Sequence, residues 1–208
     1  MLISLQKRKK VLITFIIVTL FISSLWHLAT AGWIQGKAII AQQLLNHSWS
    51  KTLNSLSDGE NMLVHKPWPW ADTWPVAKLI VPKHHIEQII LSGDGGNSLA
   101  FGPGHSFASV APNSSGTTVI SAHRDTHFRF LKDLKINEKI FIQTTKKTIA
   151  YQVVDVQIVD SKTLYLEPVI DNKTLVLVTC YPFDSLDTGG TLRYLVYATE
   201  FTTQDTII

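Results

Sequence analysis

The hydrophobic pattern changes three times along the chain. Residues 11–22, VLITFIIVTLFI, are apolar except for Thr14 and Thr19, and no charge interrupts Val11 to Gln35. A bilayer-crossing helix needs about 20 mostly apolar residues, and residues 11–31 supply them. Over 34–56, Ile39, Ile40, Leu44, Leu45, Trp49, Leu53 and Leu56 recur at steps of three to five. That spacing predicts a second helical stretch, a stalk or a helix packed on a domain. From Val76 onward the runs are short and rich in Val, Ile, Thr and Tyr, with turn residues between them. They predict strands at 76–81, 86–91, 117–121, 138–144, 148–159, 174–179 and 191–199. GDGGN (93–97) and FGPGH (101–105) read as loops. Residues 126–134 read as a short helix with Phe128, Phe130, Leu131 and Leu134 as its packing face.

Residues 57–75 predict a linker. SDGEN breaks the helix, and the three prolines of PWPWADTWP fix φ and remove donors. Trp68, Trp70 and Trp74 are expected to staple this linker to the domain. Many short strands with little helix predict a closed or nearly closed β-barrel or a sandwich. The expected organisation is a basic tail (1–10), a transmembrane anchor (11–31), a helix and Pro/Trp-rich linker (32–75) and a β-domain (76–202).

Charge and cysteine content narrow the picture. With 45% hydrophobic and 17% charged residues, 208 residues are enough for an ordinary domain, and disorder throughout is excluded. The formal net charge is +3, but residues 1–40 alone hold Lys7, Arg8, Lys9, Lys10 and Lys37 and no acid, so residues 41–208 carry −2. The basic character belongs to the tail, and an electrostatic grip on nucleic acid has no support. The cluster at 7–10 precedes the apolar run. The positive-inside bias then puts the N-terminus in the cytoplasm and the domain outside the membrane, facing a periplasm or a cell wall. Trp26 and Trp33 stand where an aromatic belt would place them. Ala29-Thr30-Ala31 offers a signal-peptidase site as the rival reading. A retained anchor is preferred because the uncharged stretch is long and Trp26-His27 is a poor approach to cleavage. A single cysteine excludes an intrachain disulfide.

That cysteine, Cys180, ends the apolar run TLVLVTC and precedes Tyr181-Pro182, at the point where a strand opens into a loop. A lone thiol is commonly a small buried hydrophobe; a strand end is where it becomes a candidate nucleophile. His123 ends a second strand-like run, TTVISAH, also at a loop. An imidazole beside a thiol takes its proton and later protonates a leaving amine. Asp125 could orient His123; the plainer reading is a loop acid or a cap for the 126–134 helix. His123 and His127 form an H-x-x-x-H pair, but HRDTH lacks the Glu of the zinc signature, so no metal and no cofactor is expected. Arg193 lies in TLRYLVYA, beyond a loop with Gly189-Gly190 as its turn. Strands joined by that loop would be neighbours, bringing Arg193 to the rim of Cys180. Its forked cation suits an oxyanion or a carbonyl; a surface strand arginine is the plainer alternative.

These segments resemble a family. VTCYPF (178–183) followed by TLRYLVYA is similar to the TLxTC…R signature of sortases, and SAHRDTHFRFL (121–131) to their histidine segment. WPVAKLIVPKHHIEQIIL and SLAFGPGHS resemble the opening strands of class D-like sortases. The match covers roughly residues 72–200. Ala122 departs from the Gly usual before the histidine, which is tolerable if φ is negative there. The resemblance implies a mainly β fold: a closed sortase-type barrel of about eight strands with short helices, behind an N-terminal transmembrane helix. It implies Cys180 as nucleophile, His123 as general acid/base, Arg193 as the group that binds the substrate backbone and steadies the oxyanion, and Thr179 as a lining residue. The implied reaction cleaves an LPxTG-like C-terminal sorting signal on an exported protein and transfers that protein to an amine acceptor in the cell envelope. A cysteine hydrolase using the same residues and a non-catalytic membrane-tethered β-domain are the alternatives.

Overall fold

The computed structural model describes residues 2–57, 64–163, 172–185 and 190–201. Residues 58–63 of the linker, Gly189 of the expected turn and residue 202 of the expected domain lie outside them. The chain divides into two compact units, Met1–Gln42 and Gln43–Ile208.

In the first unit one helix, α1 (Leu2–Ser57, continuing into the second unit), carries the apolar run. Val11, Phe15, Leu20, Phe21 and Trp26 are all exposed along it. It is the helix long and apolar enough to cross a membrane among the described residues. The two helical stretches expected at 11–31 and 34–56 are one uninterrupted helix, because neither Pro nor a charge cluster separates them.

In the second unit eight strands of the described residues close a barrel. They are β1 (Pro75–Val81), β2 (Ile86–Ser92), β3 (Gly104–His105), β4 (Gly116–Ser121), β5 (Lys139–Gln143), β6 (Thr148–Asp160), β7 (Lys173–Cys180) and β8 (Leu192–Glu200). Their order around the barrel is β1-β2-β3-β4-β7-β8-β6-β5. β2–β3 and β4–β7 pair in parallel and the other neighbours antiparallel. Period-two alternation sends Ala77, Leu79 and Val81 of β1, Ile120 of β4, and Leu175 and Leu177 of β7 into one core. The outer face of β2 is also covered: Leu45 and Trp49 of α1 pack on Ile89 and Leu91, with Leu53 and Phe101 beside them. Those α1 residues belong to the apolar stripe that the spacing predicted.

The linker is stapled in two ways. Trp68 sets its ring edge-on to Phe101 at 4.9 Å, and the buried Thr73 hydroxyl donates to Ser92 O at 2.8 Å. Trp70 is 82% exposed and takes no part in this.

Two loops differ from expectation. FGPGH contains β3, squeezed between β2 and β4. A Cβ on Gly104 would sit 2.2 Å from Gly93 O, so only glycine allows this approach. GDGGN leads into a short helix, Gly96–Leu99. The helix expected over 126–134 is a 3₁₀ turn at Arg129–Asp133, with Phe128, Phe130, Leu131 and Leu134 all buried as its packing face.

Candidate active site

Three chain segments meet where β4 and β7 end and β8 begins. β4 and β7 run in parallel register, with Ser121 opposite Val178. Past Ser121, Ala122 N donates to Val178 O at 3.1 Å, and the Thr179 hydroxyl donates to Ala122 O at 2.7 Å. His123 and Cys180 each lie two residues beyond the Ser121–Val178 pair, so the alignment brings both to one rim. On the other side of β7, Cys180 stands directly opposite Arg193 in the antiparallel ladder with β8. The next bond, Tyr181 N to Leu192 O at 3.1 Å, continues that ladder past the thiol. Side chains directly opposite in a ladder leave the sheet on the same face.

The four expected site residues differ in surroundings. Cys180 is half-buried and carries a free thiol. His123 is exposed and Arg193 half-buried. Arg193 Nη1 donates to Gly190 O at 2.7 Å and Leu192 O at 2.9 Å. Thr179 is 2% exposed, lies beneath the rim, and gives its hydroxyl to Ala122 O. Ala122 is buried and is not among the positive-φ residues, so alanine serves where a glycine would. An aromatic cluster flanks the thiol. Phe183 is edge-on to Tyr194 at 5.0 Å, and Tyr181 stacks on Tyr194 at 6.1 Å. Burial, then the neighbouring Tyr181, holds the Tyr194 hydroxyl above its ordinary range.

The loop carrying His123 turns back at once, with Phe128 N bonding His123 O at 3.0 Å. From β2, Gln88 Nε2 donates to His127 O at 2.9 Å and fixes the far side of this turn. Burial, then the charge of His123, holds the His127 imidazole below its ordinary range. Asp125 is not a helix cap: the following 3₁₀ turn starts at Phe128 without a side-chain cap. Its carboxylate pairs instead with Arg124, Nε to Oδ1 at 2.9 Å. That bond is the largest cause holding Asp125 below the usual carboxylate range; the charges of Arg124, His123 and Arg129 act in the same direction and burial opposes them. Residue types and spacing did not single out Arg124. Its side chain is 6% exposed, and Nη1 and Nη2 donate to Pro182 O at 2.5 Å and Ser185 O at 2.9 Å.

The barrel and its rim define a class: a β-barrel protein with a half-buried thiol paired in register with a guanidinium. The model of the sortase domain matches residues 79–201. Sortase D of Bacillus subtilis (strain 168) is 30% identical over 155 residues, covering 74% of this chain and 76% of that one. Among solved structures, a sortase D5 transpeptidase of Clostridium perfringens superposes with a TM-score of 0.61 at 21% identity, covering 78% of this chain and 99% of that one. Sortase A from Corynebacterium diphtheriae gives a TM-score of 0.55 at 26% identity, covering 66% of each chain. The chain belongs to the sortase family. Sortases are cysteine transpeptidases that act on exported proteins bearing sorting signals, and this protein is an enzyme of that kind.

Proposed function

We propose that this sortase cleaves an LPxTG-like C-terminal sorting signal with Cys180 as nucleophile, His123 as general acid/base and Arg193 as the stabiliser of developing negative charge. His123 takes the Cys180 proton, and the sulfur attacks the Thr carbonyl carbon of the signal. The carbonyl oxygen gains charge as the tetrahedral intermediate forms. Arg193 is the fixed cation for it, its side chain held by the bonds from Nη1 to Gly190 O and Leu192 O. The C–N bond then breaks, the imidazolium protonates the leaving amine, and a thioacyl-enzyme remains. An acceptor amine attacks the thioester, loses its proton to His123 and restores the thiol.

The observation that supports this most is the double register at β7, with Cys180 opposite Arg193 on one side and two residues past the Val178–Ser121 pair that ends β4 on the other. Thr179 takes part as a positioning residue, through its bond to Ala122 O. The N-terminal helix holds the enzyme in the membrane with its N-terminus in the cytoplasm and the barrel outside. Enzyme and membrane-held substrate then meet in two dimensions, which raises their effective concentration.

The test is ligation by the full chain in detergent micelles, given a sorting-signal peptide and a panel of primary amines. Ligated product is expected from the parent enzyme and none from Cys180→Ala. His123→Ala and Arg193→Ala should fold and lose about 100-fold or more in turnover. Hydrolysis alone, with every amine, makes the enzyme a hydrolase. Ligation by Cys180→Ala refutes the assignment of the nucleophile.

A further inference from the structure

The side chain of Arg124 is nearly sealed from water, and its guanidinium donates to main-chain carbonyls of the turn after Cys180. Among the described residues its hydrogen bonds run to the adjacent Asp125 carboxylate, Pro182 O and Ser185 O. The last two begin and end the turn that leaves Cys180. That turn's own closing bond, Ser185 N to Pro182 O, is 3.4 Å long, outside the usual range for a firm hydrogen bond. The turn is held to β8 through Phe183 and Tyr194, and to the histidine loop by Arg124. Arg124 is also bonded covalently to His123, so wherever its fork is held the imidazole's backbone is held too.

Burying a cation is costly unless its donors are satisfied. Arg124 meets that condition only where the histidine loop and the turn after the thiol approach each other. A planar fork suits this because its N–H groups diverge in fixed directions; an ammonium donates from one point. The electrostatics agree with the placement. The bond to Asp125 is the largest cause raising Arg124 above the ordinary arginine range, and the charges of Asp125, Cys180 and Asp184 add to it against burial.

We propose that Arg124 is a positioning residue for transpeptidation: one buried guanidinium fastens the turn that leaves Cys180 to the loop that carries His123, and so sets the distance between sulfur and imidazole. This rests on the assignment of Cys180 and His123 made above. Arg124 touches no reacting atom. It acts on the geometry in which the proton moves and the sulfur attacks, and an ångström of misplacement there costs about 100-fold in rate.

The test uses the full chain in detergent micelles with a sorting-signal peptide and an amine. Arg124→Ala and Arg124→Lys are compared with the parent enzyme and Cys180→Ala. Thioacyl burst titration counts competent sites, so that kcat is expressed per active site. Arg124→Ala is expected to lose 10- to 100-fold in kcat per site, with KM within about twofold of the parent. Arg124→Lys should recover little of that loss, because one ammonium cannot span Asp125, Pro182 and Ser185 together. A merely structural role would lower the number of competent sites and leave kcat per site unchanged, which overturns the proposal. Full recovery by lysine also overturns it, since charge alone would then suffice. If the alanine variant does not fold, the lysine variant is read in the same way, and parent-like kcat per site refutes the clamp. Failure of the underlying assignment looks different: the parent enzyme forms no thioacyl species, or Cys180→Ala forms one.

Discussion

Replacing Thr179 by valine separates the bond beneath the rim from everything around it. Valine keeps the volume and the β-branch, so it opens no cavity and suits a strand. What it removes is one hydroxyl, 2% exposed as part of its residue, that donates to Ala122 O at 2.7 Å. Ala122 is itself buried, so the substitution sets a methyl against a carbonyl that water does not readily reach. Leaving such an acceptor unpaired costs about 1–3 kcal/mol, more than the ~1 kcal/mol net value of an average hydrogen bond. For a domain of this size about 2 kcal/mol lowers Tm by roughly 4–8 °C. Urea titration of the full chain in micelles, followed by tryptophan fluorescence, should show a lower midpoint at unchanged slope.

The same bond joins the ends of β4 and β7, so its loss should also reach the chemistry. Turnover in the ligation assay is expected to fall about 10-fold in Thr179→Val, since small misplacements of reacting groups are costly. Thr179→Ser is the control: it keeps the hydroxyl and deletes a methyl, so it should lose stability while retaining parent-like kcat. An unchanged urea midpoint in Thr179→Val refutes the energetic argument. Equal kcat in the valine and serine variants refutes the link between this bond and the alignment of Cys180 with His123.

Glu138 supplies a pH-dependent test at the barrel's opposite-sign network. Its side chain is 7% exposed, with Lys83 Nζ and His84 Nε2 each 2.6 Å from its carboxylate oxygens. Burial alone would raise its pKa, but the bonds from Lys83 and His84 outweigh it and hold the group below the usual carboxylate range. A carboxyl lowered on folding stabilises the protein above its unfolded pKa, and this is lost as pH falls through the folded value. Glu138→Gln should therefore be less stable than the parent at neutral pH, with the gap in urea midpoint closing below about pH 4.5; a constant gap from pH 7 to pH 3 contradicts the assignment. For the anchor, mass spectrometry of the membrane-extracted protein should find the N-terminal segment intact, and a mature chain starting at Gly32 would show that Ala29-Thr30-Ala31 is cleaved.

Most of the barrel was legible because seven of its strands are long enough to carry a period-two pattern. β1, β2, β4 and β5–β8 all begin and end within about two residues of the expected runs. β3 was not legible. Its two residues form a strand because β2 and β4 approach from both sides, and nothing local in FGPGH encodes that contact. The 126–134 segment failed differently. Its apolar spacing fits an α-helix over one or two turns as well as a 3₁₀ turn, and the bonds that form, Leu131 N to Phe128 O and Leu134 N to Leu131 O, are the three-residue links of the tighter path. The neighbourhood of Cys180 and Arg193 could be read from the loop between them. Alignment of His123 with Cys180 depends on a parallel pairing of β4 with β7 across about fifty residues, which short-range pattern does not encode; the family resemblance supplied it. Arg124 escaped notice because its bonds to Pro182 and Ser185 go to main-chain carbonyls, and a carbonyl is present at every position of a sequence.

The parallel pairing explains why the histidine and the cysteine both stand at strand ends. In an antiparallel pair, the end of one strand faces the beginning of the other, so two residues that each terminate a strand lie at opposite rims. In a parallel pair the ends coincide. β7 uses both relations: parallel to β4, it shares its end with the start of the histidine loop; antiparallel to β8, it sets its end against that strand's beginning, where Arg193 lies. One strand thus brings the start of the histidine loop and Arg193 to either side of its terminal thiol. A one-residue slip on either side would send a partner's side chain to the opposite face. The ladders fix only the backbones up to Ser121 and Cys180; beyond those points the chain is loop. Thr179 extends the alignment by one residue on the β4 side, and Arg124 carries it past the imidazole to the turn beyond the thiol. These two side chains continue the work of the sheet where main-chain pairing has stopped, so Thr179→Val and Arg124→Ala should each reduce turnover more than substrate affinity.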